Sequence, residues 1–461
     1  ATMLVGADPA KPSYTLHSGR IAGQTDHVVV LLEVAGDLKE RTDGKQLQRT
    51  HMSGADRLSY QELTLAADGD HLRAARRYEK AESVVKFKDD SLRSTLSPER
   101  RLVGVAVDLP TATVFALQGP LHREELEAID VLGNSLVLDR LLPADTVAVG
   151  QTWNPAAKAM AALLGLDSTT RCDVQCTLTE VTDAVARIEL AGQVEGAVND
   201  TSTRITLKGK YRFDRRSNRI DWFALISKEN REMSQVADGF ELIVRLQTTV
   251  TPQEPSPELT EAKIDVKQLE PNAELMRLAY EPAGNHWRLG HDRQWFAGSD
   301  HRDMAVLKRI DGGAMLGQCN VSSLVRRDPS KLVSLEDFQA DIRKALGEHF
   351  GTFIEASESG NEAKNRVLRV VVGGHVQSKS IEAKPADSKS SDAKSSDAKS
   401  SDAKATDIPV RWIYYHVADQ QGRQAALTFT IEQEYVEKFA DADKQLADSL
   451  RFVNPPTKKK N

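Results

Sequence analysis

Residues 172–213, CDVQCTLTEVTDAVARIELAGQVEGAVNDTSTRITLKGKYRF, decide the fold. Three β-type runs, 172–181, 185–195 and 203–213, are separated by Thr182-Asp183 and by Val198-Asn199-Asp200. A fourth run ends near 228 after the turn Arg215-Arg216-Ser217-Asn218, and FELIVRLQTTV (240–250) is a fifth. Short strands at near-regular spacing with polar turns describe an antiparallel meander. Such a sheet twists and has to cover one face, so a curved sheet or half-barrel is predicted.

Working outward toward the N-terminus, residues 12–115 are also β-rich. HVVVLLEV (27–34) is a compact β-branched run. SYQELTLAAD (59–68) alternates, with Tyr60, Glu62, Thr64 and Ala66 on one face and Gln61, Leu63 and Leu65 on the other. HLRAARRYEKAESVVKF (71–87) follows an Asp-Gly turn and reads as a strand. Between the two β regions, 121–143 has a helical mixture of polar and apolar positions. A short helix is then predicted, with Asn154 as cap, Pro155 at its first position, Ala156 to Leu164 as its body and Gly165 as its stop.

Toward the C-terminus, TPQEPSP (251–257) and the charged residues after it form a linker. Strands are then predicted at 287–295, 304–310, 313–324 and 366–376. A helix capped by Ser334 runs to about His349, and a hairpin covers 411–433. Tyr435 to Leu450 is a final helix with Val436, Phe439, Leu446 and Leu450 on one face. SSDAK occurs three times, at 390–394, 395–399 and 400–404, and offers nothing to bury. The predicted organisation is a flexible 1–11, a β-rich antiparallel domain 12–251 and a Pro-rich, charged linker 252–275. An α/β sandwich-type domain 276–455 with a disordered insert 377–408 follows, and then a basic tail 456–461. The fold class is α+β.

Composition narrows the function. Lys and Arg number 61 and Asp and Glu 67, for a formal charge of −6, so no global basic field exists to hold nucleic acid. No apolar run approaches the roughly 18–20 residues that a membrane-spanning helix needs. The chain begins Ala1-Thr2-Met3-Leu4, so either a leader was removed or the sequence was trimmed, and an extracytoplasmic protein, periplasmic or secreted, is the expectation. Cys172, Cys176 and Cys319 are the only cysteines. Cys172 and Cys176 stand four residues apart on a predicted strand, about 13 Å, which is too far for a disulfide. All three are expected to be free, mostly buried thiols.

IPVRWIYYHVADQQGRQAALTFTIEQEYVEKFADADKQLADSLRFV (408–453) resembles the ending of the PsbP-like fold, which includes bacterial DcrB-like lipoproteins. That resemblance implies a small α/β/α binding or assembly module, often extracytoplasmic and not an enzyme. LLPADTVAVGQTW (141–153), ARIELAGQVEGA (186–197) and KGKYRFDRRSNRIDW (208–222) resemble the large, uncharacterised secreted β-meander proteins of bacteria. The same region is loosely similar in architecture to the curved-sheet carriers of lipoproteins and lipids, a likeness that fixes no ligand.

GxSxG, HExxH, Walker A and GxGxxG motifs are all absent. His301-Arg302-Asp303 imitates a kinase triplet without the glycine-rich loop or the Asp-Phe-Gly that kinase chemistry needs. His286, His291 and His301 fall within sixteen residues and are candidate metal ligands, with solvated loop histidines as the plainer reading. Asp214-Arg215-Arg216 reads as a turn. Trp412, Tyr414 and His416 share one strand face and Ile413, Tyr415 and Val417 the other, which suits a central strand covered on both sides. The reading is a non-enzymatic extracytoplasmic bacterial protein, ligand-binding or an envelope scaffold. No cofactor is expected, and the partner is a small molecule, a lipid or an envelope protein. The alternatives are a hydrolase using the His/Asp cluster at 286–303 and a purely structural envelope component.

Overall fold

The computed structural model describes residues 12–42, 46–234, 237–260, 262–282, 284, 286–301, 304–378 and 406–453. The chain divides into two compact units at Ala279/Tyr280, with Gly312–Ala314 grouped with the first. The protein is mainly β, built on large antiparallel sheets with minor helices.

A twelve-stranded sheet forms the first unit. Its strands are β1 (Thr25–Thr42), β2 (Gln46–Asp68), β3 (His71–Phe87), β4 (Asp90–Thr95), β5 (Leu102–Asp108) and β6 (Thr111–Ala116). They continue with β7 (Thr152–Trp153), β8 (Ser168–Val181), β9 (Val185–Val198), β10 (Thr201–Asp214), β11 (Arg219–Arg231) and β12 (Gly239–Pro252). The order is β7-β8-β9-β10-β11-β12-β1-β2-β3-β5-β6, with β4 beside β3. The meander read from 172–250 is β8 to β12. The last strand, β12, pairs antiparallel with the first, β1, from Gly239↔Lys39 to Pro252↔Asp26, and so joins the two β-rich regions in one sheet.

Alternation sets which side chains go in. Along β10, Thr203, Ile205, Leu207, Tyr211 and Phe213 are buried while Arg204, Thr206, Lys208 and Arg212 are exposed. The inner face packs on α1 (Arg123–Ile129), α2 (Ser135–Leu138) and α3 (Ala157–Leu164) through Leu126, Val137, Met160 and Leu163. The 121–143 region is thus two short helices and a 3-10 turn. In α1, Glu125 accepts from Ser97 N and Oγ (3.0 and 2.6 Å), Arg100 Nε (2.6 Å) and the His122 amide (2.9 Å). Burial would raise this carboxyl, but Arg100, Ser97 and the His122 amide outweigh it and hold it at about 2. α3 begins later than the sequence suggested. Asn154 does not cap it, because its side-chain amide donates to Val174 O at 2.8 Å and ties the turn to β8. Gly165 ends α3 as expected, in the left-handed region at φ 66°.

The stretch expected as a linker is corrected by the structure. Within 252–275, Leu259, Ile264 and Leu269 are buried against Leu63, Ala75, Ala106 and Phe115 on the outer face of β2, β3, β5 and β6. Polar residues around three spaced apolar ones disguise a strap that seals a sheet face.

The second unit is a seven-stranded sheet. Its strands are β13 (Trp295–His301), β14 (Met304–Asp311), β15 (Ala314–Leu324), β16 (Phe350–Gly360), β17 (Arg366–Ser378), β18 (Thr406–Ala418) and β19 (Gln424–Glu432). The order is β13-β14-β15-β19-β18-β17-β16. The run 287–295 is two strands, Trp287–His291 and β13, because a turn at 292–294 separates them. Helix α4 (Leu335–Leu346), capped by Ser334 Oγ accepting from Asp337 N at 3.1 Å, packs on Val370, Val372 and Tyr414. The final helix is broken: α5 (Val436–Phe439) and α6 (Ala442–Asp448) flank Ala440, whose φ is 47°. Phe439 still docks, edge-on to Trp295 and Phe429. β18 is interior to the sheet, with Trp412, Ile413, Tyr415, His416 and Val417 all buried, so both its faces are covered. Residues 1–11, most of the 377–408 insert including the SSDAK repeats, and the 456–461 tail lie outside the described residues.

Candidate functional site

The outer face of the first sheet is finished in two ways. On the β2-β3-β5-β6 half, the strap lies over an apolar patch and is pinned at both ends. Arg73 on β3 makes a two-pronged bond to Glu270, Nε to Oε1 at 3.2 Å and Nη2 to Oε2 at 2.9 Å. Arg77, on the same face of β3, pairs with Glu258. Gly104 is the close-approach position here: a Cβ would meet the Phe115 ring at 2.4 Å and Leu269 Cδ2 at 3.1 Å, so only glycine lets both side chains settle.

The β9-β10-β11-β12-β1 half carries no such cover among the described residues of its own unit. It holds a groove of about 860 Å³. Register builds its surface in cross-strand rows. One row runs Ala191, Lys208, Ile226, Arg245, Glu33, and the next runs Glu189, Lys210, Ala224, Gln247, Leu31. Trp222 stands beyond Ala224 on β11 and lines the same groove. Apolar side chains lie open here, Ile226 at 46%, Leu31 at 43% and the neighbouring Ile243 at 49% exposure. Lys210 pairs with Glu189 at 2.8 Å. Lys208 and Arg245, on either side of Ile226, have no ion-pair partner among the described residues.

The inner face holds a buried ionic cluster that reaches across both halves, from β2 and β3 to β1 and β11. Glu62 on β2 accepts from Arg76 Nε at 2.8 Å, Arg20 Nη1 at 3.2 Å and Ser135 Oγ at 2.6 Å. Tyr60 lies 3.1 Å from the same Ser135 hydroxyl, and the Arg76 guanidinium sits 4.6 Å over the Tyr60 ring. Asp139 accepts from Arg20 Nε at 3.4 Å and the Ile220 amide at 2.9 Å, and Arg219 is paired with Asp26 on β1. Burial pushes Glu62 up, yet Arg76, Arg20 and Ser135 outweigh it and keep the carboxyl below its ordinary range. At Asp26 burial wins over Arg219 and the carboxyl is raised. With its acceptors engaged by arginines and a serine, the cluster joins the N-terminal segment, the sheet and α2.

Of the three candidate metal ligands, the described residues place the side chains of His286 and His291. His291 is buried at the end of Trp287–His291, with Nδ1 2.7 Å from Asp292 O. His286 is exposed, and its carbonyl accepts from Val453 N at 3.1 Å. His301 ends β13, and its side chain lies outside the described residues, as do Arg302 and Asp303. Asp292 is engaged by Arg309 Nη1 at 2.6 Å and the Gln294 amide at 2.9 Å. Among the described residues no group of three or more His, Cys, Asp or Glu is placed to hold a metal ion. The three cysteines are free; burial pushes Cys176 up to about 11, and burial with Asp443 nearby takes Cys319 well above the ordinary thiol value. Asp214 accepts from the Arg216 and Ser217 amides at 2.7 and 3.2 Å, which makes 214–217 a turn.

A second buried polar group went unseen in the sequence. Tyr415 donates to Asp443 at 2.7 Å, and Arg369 Nε lies 2.9 Å from the Tyr415 hydroxyl and 3.0 Å from Asp443. Its members come from β18, α6 and β17, and no spacing in the chain announces them.

No protein-family model and no curated protein matches the chain. Among solved structures it is similar to lipovitellin, in a structure of its lipid–protein interactions, at 8% identity over 52% of this chain and 27% of that one, with a TM-score of 0.30. The chain thus spans about a quarter of that protein's length. It is also similar to the outer membrane protein OprD from Pseudomonas aeruginosa, at 8% identity over 90% of this chain and 95% of that one, with a TM-score of 0.12. The translocator domain of the autotransporter NalP from Neisseria meningitidis gives 6% identity over 90% of each chain, with a TM-score of 0.12. Likenesses at these TM-scores carry no argument about fold or function. No helix among the described residues is long and apolar enough to cross a membrane.

Proposed function

We propose that the protein is a non-enzymatic binding protein of the bacterial envelope, acting outside the cytoplasm, and that the groove on β9 to β12 and β1 is its binding surface. One observation carries this reading. The molecule seals one half of its outer sheet face with its own chain, while the other half presents Ile226, Ala224, Leu31 and Trp222 around a space of about 860 Å³. Exposed apolar side chains set among charged and polar ones around such a space suit a recognition surface. The extracytoplasmic assignment rests on the PsbP-like resemblance of 408–453. Helix α4 on one face of the second sheet and α5–α6 on the other suit that resemblance.

The test is binding of the apolar fluorophore N-phenylnaphthylamine to the full chain. Ile226→Asp should weaken it about tenfold, a loss of about 1.4 kcal/mol. Dye binding that ignores Ile226→Asp would remove the groove from consideration.

A further inference from the structure

We infer that the occupant of the groove is an acidic, amphipathic polypeptide segment of a partner protein, patterned like the strap that covers the other half of the sheet. This rests on the groove being the binding surface.

The argument starts from the covered half, where the protein displays what such a face accepts. Arg73, Ala75 and Arg77 share the outer side of β3, a cation, a small apolar residue and a cation spanning about 13 Å. What lies on them is chain that carries a carboxylate at each end, Glu270 on Arg73 and Glu258 on Arg77, with Leu259, Ile264 and Leu269 buried between. The bare half repeats this order across strands instead of along one. Lys208, Ile226 and Arg245 are register partners on β10, β11 and β12, so the two cations flank the apolar side chain about 10 Å apart.

Charge selects the occupant further. The neighbouring cations of this face are satisfied from within, Lys210 by Glu189 at 2.8 Å and Arg212 by Asp221 at 2.8 Å. Lys208 and Arg245 are not, among the described residues, although Glu33 lies directly across from Arg245. A ligand that lays apolar groups on Ile226 must desolvate both cations, and each then needs a carboxylate. A single-headed amphiphile brings its charge to one end and leaves the second cation unanswered. A polypeptide with carboxylates on both sides of a large apolar side chain answers both.

The experiment uses the full chain and a fluorescently labelled synthetic peptide of residues 256–272, SPELTEAKIDVKQLEPN. Anisotropy should report saturable binding that the double variant Lys208→Glu/Arg245→Glu weakens at least about tenfold. A peptide with Glu258→Lys and Glu270→Lys should regain affinity for that double variant. Ile226→Asp should abolish binding of both peptides. Absence of peptide binding, or binding indifferent to the charge reversal, overturns the inference. Decanoate that binds in a reversal-sensitive way where the peptide does not would give the groove to an anionic amphiphile, which also overturns it. The fluorophore separates the two readings. If the peptide fails while dye binding still depends on Ile226, only the occupant is wrong; if the dye ignores Ile226 too, the groove reading falls with it.

Discussion

The two halves of the first sheet are built from similar strands and completed by opposite means. In the β2-β3-β5-β6 half both faces are dry: the strap covers the outside, and the inside carries charge, with Glu62, Arg76 and Arg20 locked together. In the β9-to-β12 half the inside is mostly apolar, with Leu207, Phe213, Phe223 and Leu246 in the core and the Arg219–Asp26 pair at one end, and the outside has no cover among the described residues of its unit. The difference teaches where stability and recognition are separated. Substitutions in the half buried on both faces disturb packing, whereas an open face can be shaped for a ligand at little expense to the fold.

The sharpest way to break this contrast is inside the covered half. Glu62→Ala leaves Arg20 and Arg76 buried without their shared carboxylate and should lower unfolding stability by about 3–5 kcal/mol. A urea titration that shows less than about 1 kcal/mol would mean that the cluster is wetter than its burial implies. Next comes a matched pair on the outer face. Leu269→Ala, beneath the strap, should cost about 2–5 kcal/mol. Ile226→Ala, on the bare half, should stay within about 0.5 kcal/mol. Equal effects from the two would erase the distinction between the halves. A pH-dependent effect sharpens the inner layer. Glu125 is held at about 2 when folded against an ordinary value of 4.5, so its contribution is complete above about pH 4.5 and is lost as pH falls toward 2. Glu125→Gln should cost about 2 kcal/mol at neutral pH, the scale of hydrogen bonds to a charged group. The gap from the parent protein should close in urea titrations between pH 4.5 and 2; a gap that persists at pH 2 would assign the loss to packing.

Much of this architecture was legible in the chain. The alternation of 59–68 sorted Tyr60, Glu62 and Thr64 from Gln61 and Leu63, and those sets face the inner and outer sides of the sheet as read. The meander at 172–250 was equally plain, because one wetted face enforces period two. The strap was not, since Leu259, Ile264 and Leu269 are five residues apart and match neither helix nor strand period. Edge strand β16 was missed because FGTFIEASESG is polar and exposed, with β-bulges near Thr352 and Glu355. The break at Ala440 was hidden by a residue that favours helix more than any other. The groove depends on register: Lys208 and Arg245 are far apart in sequence and meet across Ile226 only once three strands are aligned.

The pairing of Asp26 with Arg219 has a temporal side. The partners are 193 residues apart, and the register partners of β1 and β12, its neighbour in the sheet, are farther apart still, from Gly239↔Lys39 to Pro252↔Asp26. A ribosome or a translocation channel delivers the N-terminus first. Strand β1 therefore has one edge unsatisfied and one acid unmatched until β11 and β12 have followed. Closing so long a loop is entropically demanding and slow. The nascent chain thus spends its vulnerable interval with β1 exposed, the strand whose HVVVLLEV core is among its most apolar sequences, so the timing of β12, more than the strength of any single contact, governs how long that edge stays open to wrong partners.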